Sequence, residues 1–422
     1  MKFVSTRKKA PAVSVSQAII QGLAVDGGLY VPESFPSLAT LPVGEISSYP
    51  ELAYEVLSPF FEGDILAEDL AQICVDAFNF PVPLVPIQGE QTVLELFHGP
   101  TAAFKDFGAR FLASSMERII ERQKQKLTIL VATSGDTGGA VAAAFANRRN
   151  IEVKVLFPKG RVSKRQQQQL TCWGNNIQAY EVDGSFDDCQ KMVKDAFMDQ
   201  AVTREWGLSS ANSINLGRLL PQSVYYVYAS YLYQQAYGKK PIFIIPSGNV
   251  GNSCAAYWAL TMGSPIERII LSVNKNRTIP DYLISGTYEK RDSVATLANA
   301  MDVGNPSNME RLFNLYPDIQ TMRSMVSAYS VDDRTIEQTI KEVYAQTGYI
   351  LCPHTATGER VRRDHFADQP TIVVSTAHPA KFEQVVEPLI GTSVEVPENL
   401  EKLLNMPSSF KQIGCDYRQL FV

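Results

Sequence analysis

Short apolar runs alternate with helix-like stretches over most of the chain after about residue 127. Strands that are buried on both faces read as nearly continuous apolar runs, and parallel neighbours need a connecting helix. The apolar runs are "LTILVAT", "IEVKVLFP", "IQAYEV", "PIFIIP", "RIILSVN" and "TIVVST". This pattern predicts an α/β protein with two doubly wound, mostly parallel sheets.

The first 95 residues differ, because their helical segments are punctuated by prolines. The stretch "VSVSQAIIQGLAVDGG" predicts an amphipathic helix that ends near the Asp-Gly-Gly turn at 26–28. We therefore expect three regions. They are an N-terminal region at 1–95, a large α/β domain at 96–127 and 216–422, and a small α/β domain at 128–215.

Composition narrows the class of protein. The chain has 422 residues, 45% hydrophobic and 20% charged, and a formal net charge of −5. These values are typical of globular proteins and give no basic surface for nucleic acid or an acidic membrane. Six cysteines are scattered without a C-x-x-C pair, and we find neither a signal peptide nor about 18 consecutive apolar residues. We expect a cytoplasmic protein with reduced thiols and no metal cluster.

A glycine-rich turn follows the apolar run that ends at Pro246. In "IIPSGNVGNSC", residues 244–254, Gly248 and Gly251 allow several backbone N–H groups to converge at the start of a helix. Such a turn is suited to a phosphate. It lacks the lysine of a Walker loop and the spacing of a dinucleotide fold, which disfavours a nucleotide-binding module. The alternative is an ordinary strand–helix turn.

A second turn of this kind lies in "VATSGDTGGAVAAAF", residues 131–145. Thr133, Ser134 and Thr137 offer hydroxyl groups, and the helix start offers N–H groups, to an anion. The alternative is a helix N-cap formed by Asp136 or Ser134. Two such turns suggest two anionic groups, of which one would be a cofactor phosphate and the other a substrate.

One lysine, Lys105, lies in the otherwise apolar stretch "LFHGPTAAFKDFGARFL" at 96–112. A lysine amine condenses with an aldehyde, and pyridoxal phosphate carries both an aldehyde and a phosphate. In "STAHPAKF", residues 375–382, Ser375 or Thr376 ends an apolar strand, where ligands of open α/β sheets bind. A hydroxyl there could meet a pyridine nitrogen. Taken alone, Lys105 is better explained as a polar residue at a helix start, and only the two anion-suited turns and the hydroxyl at 376 favour the reactive amine.

With these residues in view, the chain resembles the long-form threonine synthase family within the fold-type-II pyridoxal-phosphate enzymes. The resemblance covers nearly the whole length, including the N-terminal 95 residues. It is carried by "GLAVDGGLYVPE", "ELFHGPTAAFKDFGARFL", "ATSGDTGGA", "NSINLGRLLPQ", "PSGNVGN", "AMDVGNPSNMERL", "PHTATG" and "STAHPAKF".

The resemblance implies a role for each matching residue. Lys105 would be the Schiff-base lysine and proton carrier, Thr376 would face the pyridine nitrogen, and Asp136 would lie near the ring hydroxyl. The large domain would bind the cofactor. The phosphate of the cofactor would be held by Gly248, Asn249, Val250, Gly251 and Asn252. The substrate's phosphate or carboxylate would be held by Ser134, Thr137, Asn215 and Arg218.

The implied reaction converts O-phospho-L-homoserine and water to L-threonine and phosphate, which is a carbon–oxygen lyase activity on a phosphate. The resemblance also implies a monomer, with a homodimer as the alternative. Three other activities stay open at this stage. They are a serine or threonine dehydratase, a lyase that degrades phosphohomoserine without forming threonine, and a non-catalytic pyridoxal-phosphate-binding protein.

Overall fold

A computed structural model describes residues 1–39, 41 and 47–422. Within these residues, thirteen strands form three sheets. In chain order they are β1 Phe3–Ser5, β2 Tyr30–Pro32, β3 Leu84–Gln88, β4 Gln91–Glu95, β5 Leu127–Ala132, β6 Ile151–Pro158, β7 Ile177–Val182, β8 Leu208–Ser210, β9 Ile242–Pro246, β10 Arg268–Val273, β11 Ser327–Ser330, β12 Thr371–Ser375 and β13 Lys411–Ile413.

Eighteen α-helices accompany these strands in the described residues, with three short 3-10 helices at Asn299–Met301, Pro379–Phe382 and Tyr417–Phe421. In chain order the α-helices are α1 Val15–Gln21, α2 Tyr49–Phe61, α3 Leu70–Ala77, α4 Lys105–Gln123, α5 Asp136–Phe145, α6 Lys164–Thr171, α7 Phe186–Met198, α8 Gln200–Trp206, α9 Leu216–Leu219, α10 Gln222–Tyr237, α11 Gly251–Thr261, α12 Thr278–Ser285, α13 Met309–Leu315, α14 Ile319–Met325, α15 Asp333–Thr347, α16 Pro353–His365, α17 Glu383–Ile390 and α18 Glu398–Leu404. No helix in the described ranges has the length and apolar character needed to cross a bilayer.

The larger sheet has six strands in the order β11-β10-β9-β12-β4-β3. All neighbours are parallel except β3 and β4, which are antiparallel. The central strands β9 and β12 are buried along their whole length, which agrees with their uninterrupted apolar sequences. The smaller sheet has five parallel strands in the order β13-β7-β6-β5-β8. The predicted α/β class with two mostly parallel sheets is confirmed.

Sheet membership departs from the predicted regions at two places. Strands β3 and β4 lie before residue 96, yet they pair into the large sheet. Strand β13 lies in the region assigned to the large domain, yet it pairs with β7 of the small sheet. The reason is that backbone hydrogen bonding joins segments far apart in the sequence, which a local pattern does not encode. The division into three domains as folding units stays a prediction.

The loop before α4 is fixed to the end of β12 by backbone hydrogen bonds. The Leu96 N–H donates to the Ser375 carbonyl oxygen at 3.0 Å, and the Phe104 N–H donates to the Thr376 carbonyl oxygen at 2.8 Å. These bonds set the first residue of α4, Lys105, beside the carboxyl end of β12. That edge is where open α/β sheets bind ligands.

Helix α4 also approaches the short helix α9 very closely. A Cβ atom added to Gly108 would overlap the carbonyl oxygen of Arg218 and lie 3.1 Å from its carbonyl carbon. Only a residue without a side chain permits this approach. The contact therefore sets the separation between the helix that begins with Lys105 and the helix that carries Arg218.

We predict that Gly108→Ala lowers the thermal unfolding midpoint, because the new methyl group must push α4 away from α9. Overpacking of a buried contact costs about 1–3 kcal/mol. Gly139→Ala in α5 is the matched control, since its added Cβ would lie 3.4 Å from the Gln169 Cβ, an ordinary contact. That variant should be neutral or slightly stabilised, by up to about 1 kcal/mol from helix propensity. Equal midpoints for the two variants in calorimetry would contradict the close-packing argument.

Candidate active site

A cavity of about 440 Å³ lies where the carboxyl ends of strands from both sheets meet. It is lined by eleven of the twelve site residues predicted from the sequence, which lie between positions 105 and 376. They are Lys105, Ser134, Asp136, Thr137, Arg218, Gly248, Asn249, Val250, Gly251, Asn252 and Thr376. The twelfth, Asn215, is not among the lining residues.

The turn between β9 and α11 has the geometry of an anion-binding loop. The N–H groups of Gly248, Asn249 and Val250 donate no hydrogen bond within the described part of the chain. Val250 has φ 65°, a left-handed conformation that is strained for a β-branched residue. A Cβ on Gly248 would lie 2.8 Å from the Met301 Cα. Free N–H groups at the start of an eleven-residue helix form a site suited to a phosphate.

Asn249 uses its side chain to hold this loop in place. Its Nδ2 donates to the Ser213 Oγ at 2.7 Å, and its Oδ1 accepts a hydrogen bond from the Ser307 N–H at 2.5 Å. The Asn308 Nδ2 donates to the Asn249 carbonyl oxygen at 3.0 Å. The loop is therefore braced from two other segments.

Asn252 contributes a buried donor without a protein partner. Its Oδ1 accepts hydrogen bonds from the hydroxyl groups of Tyr225 and Tyr226, at 2.5 and 2.7 Å. Its Nδ2 is buried and has no partner among the described residues. A buried unpaired donor is unfavourable in isolation, so this group is suited to a bound acceptor.

The second turn, before α5, is organised by Thr133, whose hydroxyl we had expected to face an anion. The Thr133 Oγ1 accepts hydrogen bonds from the Gly135 and Gly138 N–H groups, both at 2.9 Å. The residue at the N-cap is Gly135, and neither Asp136 nor Ser134 caps the helix. The alternative interpretation, in which Asp136 or Ser134 is the N-cap, is wrong. The Thr133 hydroxyl accepts the hydrogen bond from the Gly138 N–H in the first turn of α5 instead. The hydroxyls of Ser134 and Thr137 line the cavity instead.

Asp136 is a buried carboxylate that faces two lysines. Its Oδ2 lies 3.6 Å from the Lys105 Nζ, and its Oδ1 lies 2.9 Å from the Lys381 Nζ. Burial alone would raise the pKa of Asp136, but Lys381 and then Lys105 hold that pKa well below its usual range. Burial lowers the pKa of Lys105, although Asp136 opposes the shift; the charges of Lys381 and Arg218 lower it further. Lys105 can therefore lose its proton more readily than an exposed lysine.

Arg218 and Asn215 come from the same motif but have different positions. The Arg218 Nη1 donates to the Ala211 carbonyl oxygen at 2.5 Å, whereas its Nε is buried without a partner among the described residues. Burial lowers the pKa of Arg218 to about 10, so it stays charged at neutral pH. Asn215 is fully buried and caps α9, with its Nδ2 bonded to the carbonyl oxygens of Ile19 and Ser210. Its polar atoms are already used by the backbone.

His354 and Lys381 are two residues of this site that our sequence reasoning missed. The Ala300 N–H donates to the His354 Nε2 at 3.1 Å, which assigns the proton of the neutral ring to Nδ1. Nδ1 is buried and has no partner among the described residues. Burial lowers the pKa of His354 to about 4. Both residues lie in motifs quoted above, "PHTATG" and "STAHPAKF", but no spacing rule connects them with Asp136.

Comparison with known proteins adds to this geometry. Residues 81–375 match the family described as "Pyridoxal-phosphate dependent enzyme". Residues 2–78 match "Threonine synthase N terminus", and residues 355–420 match "Threonine synthase, C-terminal". A threonine synthase of Haemophilus influenzae is 38% identical over 423 residues, covering 100% of this chain and 98% of that protein. The chain belongs to the threonine synthase family.

Two solved threonine synthase structures resemble this fold over the whole chain. A pyridoxal-phosphate-bound threonine synthase from Brucella melitensis has a TM-score of 0.94 at 37% identity, covering 100% of this chain and 98% of that one. The Escherichia coli threonine synthase has a TM-score of 0.91 at 36% identity, with the same coverage. The predicted family and the predicted class, fold-type-II pyridoxal-phosphate-dependent enzymes, are confirmed.

The residues of this family member fit such a cofactor. The cavity is lined by a lysine amine, by the 248–250 turn, and by Asn252 and His354. The N–H groups of that turn, the Asn252 Nδ2 and the His354 Nδ1 have no hydrogen-bond partner among the described residues. A phosphate needs the N–H groups of the turn, and an aldehyde needs the amine. Gly248 leaves room that any side chain would fill.

We predict that His354→Gln makes the protein less sensitive to mild acid. The pKa of His354 falls from 6.5 to about 4 on folding, so the unfolded chain binds more protons between those two values. Stability contributed by the neutral ring is therefore lost as the pH falls through this window, by about 2 kcal/mol near pH 5. The measurement is the free energy of unfolding at about pH 7.5 and about pH 5.

Between those two pH values, the decrease in the free energy of unfolding should be about 2 kcal/mol smaller in His354→Gln than in the unsubstituted protein. His365→Gln is the matched control, because His365 is exposed near the end of α16. An unchanged acid sensitivity in His354→Gln would contradict the burial of a neutral ring.

Proposed function

We propose that this protein converts O-phospho-L-homoserine and water to L-threonine and inorganic phosphate, with pyridoxal phosphate as its cofactor. The single observation that carries the proposal is the cavity with one reactive amine, Lys105, between two anion-suited turns. Membership of the threonine synthase family supports the same reaction. A substrate with both a phosphate and a carboxylate requires more anion-binding groups than a cofactor alone.

Three groups of residues would hold the cofactor. The free N–H groups of the 248–250 turn and the N-terminus of α11 would bind its phosphate. Thr376, at the end of β12, would place its hydroxyl toward the pyridine nitrogen, and Lys105 would bind the aldehyde. Asp136 would lie near the ring hydroxyl. When bound, pyridoxal phosphate supplies an electron sink that stabilises negative charge at the substrate's α carbon.

Lys105 would move the protons of the reaction. Its Nζ, once neutral, would accept the proton from the substrate α carbon and later return protons to carbon. Burial lowers the pKa of this amine, which favours the neutral form that such a base requires. Only 14% of the Lys105 side chain is exposed, so the cavity limits competition from bulk water.

The second anion site would hold the substrate. Ser134 and Thr137 contribute hydroxyls at the start of α5, and Arg218 contributes a guanidinium whose Nε has no partner in the part of the chain that the structure describes. Arginine binds phosphate or carboxylate through a fixed pair of N–H groups. These groups would stabilise the phosphate that leaves the γ carbon once the β carbon has lost a proton. A hydroxyl from water would then join the β carbon, and protons would return to the γ and α carbons.

Asn215 would act indirectly. Its side chain caps α9 and ties that helix to β8 and α1, so it would hold the Arg218 backbone in place rather than contact substrate.

We also infer a monomeric, cytoplasmic protein with no nucleic-acid partner. The six cysteines, of which five are buried, are all free thiols, which supports a reducing compartment.

We predict that Lys105→Ala removes the visible absorbance of the lysine-bound cofactor and lowers kcat by about 10²–10⁴-fold, because the proton carrier is lost. Lys159→Ala, which changes an exposed lysine after β6, is the matched control and should keep both properties. Phosphate and threonine should form in equal amounts with the unsubstituted protein. Phosphate without threonine would assign the protein to the degrading lyases, and release of ammonia from unphosphorylated serine or threonine would assign it to the dehydratases.

We predict that Arg218→Lys raises KM for O-phospho-L-homoserine by about 10–100-fold, since a point charge replaces a planar pair of donors. Inhibition by inorganic phosphate should weaken with it, whereas cofactor absorbance should stay. The control is Arg161→Lys at an exposed position, which should leave KM unchanged. An unchanged KM in Arg218→Lys would remove Arg218 from the substrate site.

A further inference from the structure

Asp136 is shared by two lysines that come from distant parts of the chain. Lys105 begins α4, whereas Lys381 lies in the 3-10 helix Pro379–Phe382 after β12. The Lys381 Nζ lies 2.9 Å from the Asp136 Oδ1 and donates to the Thr101 carbonyl oxygen at 2.8 Å. Its side chain is only 1% exposed. A fully buried ammonium with a single carboxylate partner is rare unless it has a role.

The two lysines differ in their distance from the shared carboxylate. The Lys105 Nζ lies 3.6 Å from the Asp136 Oδ2, which is longer than a hydrogen bond of normal strength. Lys381 makes the shorter contact and is fixed by a second acceptor. The geometry therefore pairs Asp136 primarily with Lys381 and leaves Lys105 more weakly held.

This arrangement matters because a base must be able to lose its proton. An isolated buried carboxylate beside Lys105 would favour the charged ammonium and oppose its deprotonation. A second cation on the same carboxylate offsets most of that attraction, because its positive charge opposes the effect of Asp136 on Lys105. With Lys381 present, Asp136 can stay ionised whether or not Lys105 carries its proton.

The other charged groups around Lys105 do not replace Lys381. Arg218 is the remaining cation and lies in α9, with one nitrogen on the Ala211 carbonyl oxygen. His354 of α16 is neutral, because burial lowers its pKa to about 4. Asp106, on α4 itself, is bound by the N–H and hydroxyl of Thr101 at 2.8 and 2.7 Å, and its carboxylate makes no ion pair with Lys105. Lys381 is thus the cation in contact with Asp136 besides Lys105 within the described residues.

We propose that Lys381 is a positioning residue of the reaction, whose ammonium neutralises Asp136 so that Lys105 can release and regain its proton while Asp136 remains a carboxylate. This inference rests on the proposed function, in which Lys105 is the proton carrier. It gives a chemical role to the last part of the "STAHPAKF" segment. Lys381 acts on Lys105 through its charge, which offsets that of Asp136, and need not contact the substrate.

The test measures the proton affinity of Lys105 directly. Full-length protein freed of cofactor is labelled with trace acetic anhydride across a pH series, and acetylation of Lys105 is followed by mass spectrometry. Only the neutral amine reacts, so the midpoint of the rate profile reports deprotonation. Exposed Lys240 in the same sample calibrates the reagent. A spectral pH titration of the cofactor-loaded protein is the second readout.

In Lys381→Met, the midpoint of the Lys105 profile should rise by about 1 pH unit or more, because Asp136 then acts on Lys105 alone. Lys381→Arg retains the charge and should restore a midpoint close to that of the unsubstituted protein. The spectral midpoint of the loaded protein should move in the same direction. Coincident profiles in folded Lys381→Met and in the unsubstituted protein would overturn the proposal and leave Lys381 a structural ion pair.

Lys381→Met leaves a buried carboxylate with less compensation and so could fail to fold. In that case the comparison uses proteins in which residue 136 carries no charge. The single variant Asp136→Asn is compared with the double variant that also carries Lys381→Met. Removing Lys381 there should still raise the Lys105 midpoint, since a repelling cation is lost. Equal midpoints in that pair would overturn the proposal. Labelling needs no substrate, so the effect of Lys381 on Lys105 can be measured even if the proposed reaction does not occur. Failure of this proposal and failure of the proposed function are therefore distinguishable.

Discussion

A single buried carboxylate sets the main constraint on this molecule. Asp136 has 2% of its side chain exposed, so its charge must be compensated within the protein. The compensation comes from Lys105, which begins α4, and from Lys381, which follows β12. Asp136 itself begins α5, directly after a strand of the other sheet. One ionic cluster therefore requires the carboxyl ends of both sheets to meet.

The local chemistry of the site could be predicted from the sequence, because the residues that form each part of it are close together in the chain. The turn at 248–252 and the lysine at 105 each lie within about ten residues that carry their own conformational signals, namely glycines after an apolar strand and an amphipathic helix. The structure brings these segments into one cavity. Fold class followed from the same local alternation, since buried strands and connecting helices repeat along the chain.

The parts that could not be predicted depend on contacts between distant segments. His354 lines the cavity and Lys381 contacts Asp136 there only because segments distant in the sequence meet at this point, and nothing in their neighbouring residues indicates a role in the site. Asn215 shows the opposite case. Its motif resembles a binding segment, but its amide is used by the backbone of α1 and β8. Strand β13 likewise finds its partner 231 residues away, as the Gln412–Glu181 hydrogen bond illustrates.

The N-terminal region acquires a physical role through Arg311. This guanidinium is 1% exposed and donates to the Tyr30 carbonyl oxygen in β2, to the Ile214 carbonyl oxygen beside the cavity and to the Asn308 Oδ1. Asn308 in turn donates to the carbonyl oxygen of Asn249, the central residue of the anion-binding turn. The strained backbone of Val250 persists only where its surroundings fix it. A chain of hydrogen bonds from β2 through Arg311 and Asn308 supplies that fixation, so the first 39 described residues help to shape a site to which they contribute no lining side chain.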